Sequence, residues 1–187
     1  MNSALSDVAK LQLGFYAKPD EEGNIKYLQA KHFTDSGELL SDVDTFINVS
    51  EKNESHLLKD GDLLFAGKGF RNFAWTYFSE IGDAVASSIF FVIRPDKDKV
   101  YPEFLTTLFN TPKYQAYFQS LGAGSSITSI RKSELEAMAI NLPSLEVQKK
   151  IMEIKKLHQQ DLNLSKEIIE KKETRFQSVV NQLLYFD

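Results

Sequence analysis

Between residues 145 and 184 the apolar side chains Ile151, Ile154, Leu157, Leu162, Ile168, Ile169, Phe176, Val179, Val180, Leu183 and Leu184 recur every three or four positions, with Lys, Glu and Gln between them. That period lines them up as one stripe along an α-helix. Pro143 stops the preceding element, Ser144 is placed to cap, Glu146 sits where the helix dipole is positive, and no Gly or Pro follows. At about 1.5 Å per residue the predicted helix is about 60 Å long, well beyond a few turns. His158, Asp161, Ser165 and Lys172 interrupt the stripe, and polar residues in a seam usually fix register and orientation. The pattern predicts pairing with another helix, most simply a second copy, with Ile151, Ile154, Leu162, Ile168, Phe176, Val179 and Leu183 in the contact. A helix folded back on its own domain is the competing reading.

Upstream of Pro143 the pattern is mixed. Strands are predicted at residues 11–16 and 25–29, separated by the turn cluster at residues 19–24, with a further turn at Asp35-Ser36-Gly37 and an acidic stretch from Leu39 to Val49. Asp60-Gly61 turns into a short buried strand at residues 63–65, Gly67 and Gly69 open a loop, and residues 86–94 read as one continuous strand. From Tyr101 the period becomes helical. Pro102 suits a first helical position, Thr111-Pro112 starts a second short helix ending near Gly122, and Ser133-Glu134-Leu135-Glu136 reads as a capping box. Residues 138–142 form the last strand. The expected fold is therefore α+β: a compact mixed domain at 1–142 and a long helix at 143–187.

With 187 residues, 42% hydrophobic and 26% charged, the chain can bury one full core. It has no Cys, which excludes a disulfide framework, a thiolate nucleophile and a cysteine zinc site. The first ten residues lack a basic start followed by an apolar run, and no stretch of about 18 apolar residues occurs, so a cytoplasmic protein without membrane contact is expected. The net charge of -4 is uneven: residues 1–62 hold six basic and twelve acidic side chains, residues 63–142 eight and seven. A local basic surface beyond the first third is compatible with that balance.

The segment between the two predicted central strands carries Lys68, Arg71, Asn72, Trp75, Thr76 and Tyr77. Cations suit phosphates, and Arg or Asn can read base edges, although many exposed hairpins share this composition without a ligand. Phe65-Ala66-Gly67-Lys68-Gly69 matches the short glycine pattern of an S-adenosylmethionine loop and a fragment of a phosphate loop. Neither holds: Gly69 follows Lys68 where a Walker loop needs Ser or Thr, and residues 70–78 are aromatic and strand-like instead of helical. The single prolines in Asn110-Thr111-Pro112 and Asn141-Leu142-Pro143 do not complete the methyltransferase partner motif. Residues 122–128 form a glycine-serine loop followed by Arg131 and Lys132, a plausible phosphate seat that equally serves as helix punctuation. No cofactor or metal is expected.

The runs LLKDGDLLFAGKG, ASSIFFVIRP and YPEFLTTLFNTPKYQAYFQSLGAGSSITSIRKSELEAMAINLPSLEVQKKI, in that order, make the chain resemble the specificity subunit of type I restriction-modification systems over about residues 10–184. Members usually carry Pro-Leu and Glu-Gln around the hinge, so Ser144 and Val147 depart mildly. The resemblance implies a non-catalytic subunit whose target recognition domain reads one half of a split site in double-stranded DNA. Its spacer helix would pair antiparallel, and methylation and cleavage would belong to partner modification and restriction subunits. Typical members have two domains and two helices, so one of each implies a half-length form acting as a homodimer on a palindromic site. On this reading Lys68, Arg71 and Asn72 contact DNA and Trp75 and Tyr77 shape the loop. Tyr16, Lys18 and Lys31 and the group Ser125, Ser126, Arg131 and Lys132 are further DNA-binding candidates. The alternative is an assembly or decoy subunit that binds the methyltransferase through its helix without reading DNA.

Overall fold

The computed structural model describes residues 2–40, 43–48, 54–69, 71–121 and 128–185. The chain divides into two compact units, residues 1–148 and 149–187. In chain order the strands are β1 (Asn2–Ala4), β2 (Ala9–Leu13), β3 (Ile25–Leu28), β4 (Phe46–Ile47), β5 (Leu63–Ala66), β6 (Lys68–Gly69), β7 (Ala74–Thr76), β8 (Ala84–Ala86), β9 (Phe90–Pro95), β10 (Thr128–Ser129) and β11 (Ala139–Asn141). The α-helices are α1 (Pro102–Phe109), α2 (Pro112–Leu121), α3 (Lys132–Glu136) and α4 (Leu145–Tyr185).

β5 is the centre of the first unit. It lies between β9 and β7 in an antiparallel sheet of order β2-β9-β5-β7. Leu63, Leu64, Phe65 and Ala66 are all at most 1% exposed, so both faces of this strand are covered, as its unbroken apolar run requires. On one face Phe65 meets Phe109 of α1 and Phe118 of α2, at ring centroid distances of 5.4 and 4.5 Å. On the other, Leu64 and Ala66 join Leu28, Phe33, Phe73, Tyr77, Ala84, Ala86 and Phe90. A second sheet of order β4-β3-β8, with β3 parallel to β8, supplies part of that cover.

The continuous strand expected at residues 86–94 is in fact two strands in two sheets. The chain leaves β8, turns at Ser88 and Ile89, and enters β9 beside β2 and β5. Ser87 N–H donates to the Leu28 carbonyl at 2.9 Å, and Phe90 N–H donates to the Ser87 carbonyl at 3.0 Å. Gly14 packs against this corner so closely that a Cβ there would lie 2.1 Å from the Ser87 carbonyl oxygen. The loop expected to open at Gly67 also differs, since Lys68 and Gly69 pair with Ser129 and Thr128 as a two-stranded ribbon. The capping box begins earlier than read: Arg131 is the N-cap, its N–H donates to the Glu134 carboxylate at 2.8 Å, and Ser133 lies inside α3.

The start of β5 is fixed electrostatically. Asp62, 1% exposed, accepts Arg94 Nε at 2.7 Å and Nη2 at 2.6 Å, and also the Lys59 N–H at 2.8 Å. Bidentate pairing raises the Arg94 pKa further above its usual value, because the hydrogen bonds favour the charged guanidinium.

α4 starts at the expected residue and ends one residue past the expected end. Ser144 Oγ accepts the Val147 N–H at 3.4 Å. Gln148 is fully buried in the first unit, and its Oε1 accepts the Tyr101 N–H at 3.0 Å while Nε2 donates to the carbonyls of Lys99 (3.1 Å) and Pro143 (3.0 Å). One side chain thus ties the first turn of α4 to the entrance of α1 and to its own hinge. Replacing it by an apolar side chain of similar length would strand one buried donor and two carbonyls. Gln148→Leu is expected to lower unfolding free energy by about 3 kcal/mol, read as a shift of the urea midpoint at unchanged slope; a shift worth less than about 1 kcal/mol would refute this role for Gln148.

Candidate nucleic-acid interface

Two segments that are far apart in sequence meet at the β6–β10 ribbon. Lys68 lies opposite Ser129, Gly69 opposite Thr128, and Ile130 N–H donates to the Gly67 carbonyl at 2.9 Å. Buried Ile130 anchors the ribbon, and exposed Lys68, Arg131 and Lys132 lie on or beside it. Lys132 is paired with Glu136 one helical turn on, at 3.3 Å. The fold therefore brings the Lys68 segment and the end of the glycine-serine loop to one place. Ser125 and Ser126 lie outside the described residues.

The remaining residues of the loop are engaged within the domain. Arg71 pairs with the Asp35 carboxylate, its Nη2 donates to the Phe33 carbonyl at 3.1 Å, and its guanidinium stands 5.8 Å from the Phe73 ring centroid. Asn72 Nδ2 donates to the Ala66 carbonyl at 2.7 Å, bracing the β5–β7 hairpin. Trp75 is half-buried and packs edge-on against Phe33 at 5.4 Å. Tyr77 is buried in the core, with its hydroxyl donating to the Gly82 carbonyl at 2.8 Å. Its phenol is pushed above its ordinary pKa, first by burial and then by the carboxylates of Asp83, Asp60, Asp62 and Glu80.

Tyr16, Lys18 and Lys31 belong to a different part of the domain, around β3. Tyr27 of β3 accepts the Ala17 N–H at 3.1 Å and donates to the Phe15 carbonyl at 2.8 Å, which holds the loop while Tyr16 between them stays 78% exposed. Lys18 is exposed. Lys31 donates to Asp44 Oδ1 at 2.7 Å. The same carboxylate oxygen faces buried His32 Nε2 at 3.0 Å and accepts the Thr45 hydroxyl at 2.9 Å, while the Gln29 N–H donates to His32 Nδ1. Lys31, then His32 and Thr45, hold the Asp44 carboxyl well below the usual carboxylate range.

Two participants were not singled out from sequence. Asp35 was read only as part of a turn, yet it faces Arg71 across the Phe33 segment. Asn110 was read only as part of an incomplete methyltransferase motif, yet its side-chain amide pairs with Ala74, accepting its N–H at 2.9 Å and donating to its carbonyl at 2.8 Å. An Asn following a helix and preceding Thr-Pro signals a cap, which gives its position but not its partner. Among the described residues no group of three His, Asp or Glu is placed to hold a metal ion, and no helix is long and apolar enough to cross a membrane.

The chain matches the type I restriction modification DNA specificity domain over residues 1–173, and it belongs to that family. Specificity subunits of these systems are non-catalytic. It is 29% identical over 100 residues to the type I restriction enzyme HindI specificity subunit of Haemophilus influenzae, which covers 52% of this chain and 22% of that protein. Its fold is similar to the HsdS subunit from Thermoanaerobacter tengcongensis (TM-score 0.67, 17% identity, 100% of this chain and 45% of that one). It is also similar to the type I restriction-modification S subunit from M. genitalium (TM-score 0.61, 15% identity, 100% and 46%). The chain thus spans less than half the length of these relatives.

The Asp44 cluster gives the Lys31 region a defined acid response. Because the folded carboxyl titrates below its unfolded value of about 4, the cluster stabilises the fold above that pH and loses its effect as pH falls toward the folded value. Asp44→Asn is expected to melt at a lower temperature than the parent at pH 7, with the gap closing below about pH 4. A gap that stays constant across this range would remove Asp44 from the acid response.

Proposed function

We propose that the chain is a DNA-reading specificity subunit, in which residues 1–142 recognise one half of a split double-stranded target and residues 143–187 form the spacer and dimerisation helix. The observation that carries this reading is the family match, which runs from the mixed domain well into α4. The helix pairs with a second copy, and the resulting two-fold gives a palindromic split site. Modification and restriction subunits of a cytoplasmic restriction system dock on the assembly and perform methylation and cleavage. Lys68, Arg131 and Lys132 neutralise backbone phosphates at the ribbon, and the hydroxyls of Ser125 and Ser126 donate hydrogen bonds to DNA. Arg71, presented by Asp35, reads a base edge beside Asn72, and Trp75 and Tyr77 hold the hairpin that carries them. Tyr16, Lys18 and Lys31 form an outlying contact.

Arg71→Ala is expected to cost about 1–3 kcal/mol of specific binding and to relax preference at one base position. Fluorescence anisotropy on the target found by methylation mapping measures both, and unchanged affinity with unchanged preference would take Arg71 out of the readout. Light scattering on the purified chain is expected to give a dimer that recruits the cognate modification subunit. Ile168→Asp combined with Val179→Asp is expected to give a folded monomer, since each places a carboxylate in an apolar seam. A dimer surviving both changes would put the contact elsewhere. A chain that recruits the modification subunit but binds no DNA would favour the assembly or decoy reading.

A further inference from the structure

We propose that Tyr16 is an aromatic wedge that enters the DNA base stack near the ribbon, and that it gives the chain a preference for an easily unstacked base step which no side chain hydrogen-bonds. The inference rests on the DNA-reading role above and adds a mode of recognition to it. Among the described residues of the first unit, Tyr16 is the most exposed large apolar side chain, at 78% against 46% for Leu13, the next. Its backbone, by contrast, is held on both sides. Gly14 N–H donates to the Phe90 carbonyl and Phe15 N–H to the Ala86 carbonyl, each at 2.8 Å. The Phe15 ring lies 4.9 Å from the His56 ring, and Phe15 and Ala17 both pack on the cluster of Ile25, Tyr27, Ile47 and Val85. The hydroxyl of buried Tyr27 closes the clamp, bonded to the Ala17 amide and the Phe15 carbonyl. A ring presented in this way gives up little more than its own two side-chain torsions on binding, because the loop that carries it is ordered beforehand.

Although Tyr16 belongs to the β3 side of the domain, its loop and the ribbon leave the main sheet at the same corner. Gly14 bonds to Phe90 from one side of β9, and Gly67 N–H donates to the Ile89 carbonyl at 3.1 Å from the other. The two exits are therefore two strand spacings apart, about 10 Å. Lys68 follows Gly67 directly, and Tyr16 lies two residues beyond Gly14. The separation of the exits matches about three base-pair steps of duplex, so a ribbon seated on phosphates brings Tyr16 within reach of neighbouring bases. The residues after Tyr16 favour the ring over charge as the means of contact. Lys18 is followed by Asp20, Glu21 and Glu22, so this segment has no excess of cations with which to hold phosphates. What it offers DNA is a neutral aromatic face. A side chain wedged between base pairs partly unstacks and kinks the duplex, and pyrimidine–purine steps yield most easily. The preference is then read as deformability, without a hydrogen bond to the bases of that step.

The experiment uses the full-length chain and duplexes carrying the site found by methylation mapping, with 2-aminopurine placed in turn at adenines in and beside that site. This base fluoresces more strongly when unstacked. The parent chain is expected to raise the signal at one pyrimidine–purine step. Tyr16→Ala is expected to abolish the rise, to weaken binding about tenfold and to flatten the preference at that step. Tyr16→Phe keeps the ring and is expected to keep the rise. Tyr27→Phe removes the clamping hydroxyl, and it is expected to weaken binding in the parent chain but not in the Tyr16→Ala chain, a coupling that a purely structural role for Tyr27 would not produce. Specific binding by the parent with no rise at any position, or Tyr16→Ala binding with unchanged affinity, would overturn the wedge and leave the DNA-reading role standing. Equal losses in the Phe and Ala variants would assign Tyr16 a hydroxyl contact to phosphate, and would also overturn the wedge. A parent chain that binds no DNA would overturn both.

Discussion

A four-residue strand buried on both faces sets the requirements for the rest of the mixed domain. Leu63, Leu64, Phe65 and Ala66 expose almost nothing, so layers must cover them from two sides, and the chain supplies helices on one and a second sheet on the other. The corner at Ser88 and Ile89 follows from this demand. One continuous strand could not serve both sheets, and the turn at Ser88 and Ile89 lets neighbouring segments line opposite sides of the same core. Arg94, one strand over, then holds buried Asp62 at the entrance of β5, where an unpaired carboxylate would be costly.

What the sequence made readable is what local periodicity and punctuation encode. The long helix, its cap at Ser144, the two helices entered through Pro102 and Pro112 and the β5 strand all follow from such signals. The split of residues 84–95 did not, because an unbroken apolar run looks the same whether it continues straight or turns a corner between two sheets. The shifted cap at Arg131 shows the same limit at smaller scale: Glu134 reaches back as a capping glutamate does, but the residue whose N–H it accepts is set by how the ribbon delivers the chain. The family resemblance rested on the order of pieces, and order survives such local errors.

For the site, residue type was legible and partnership was not. Lys68, Arg71 and Asn72 fall within five consecutive residues, yet the fold gives them different surroundings: Lys68 exposed on the ribbon, Arg71 held by Asp35 and Phe33, Asn72 turned back onto Ala66. Conversely, Lys68 and Arg131 are separated by more than sixty residues and are brought together by two short strands of two residues each. Such pairings depend on which backbone amides remain unsatisfied after the main sheets form, a quantity that composition does not carry.

The amide of Asn110 has a consequence outside recognition. β7 is the last strand of its sheet, and an outer strand with free backbone groups is a template on which another chain can add. By occupying both the N–H and the carbonyl of Ala74, Asn110 closes that edge at the start of β7 using a single side chain and no further strand. The domain is thereby protected against unwanted sheet extension on one flank, and the protection resides in a side chain that no backbone pairing rule would anticipate.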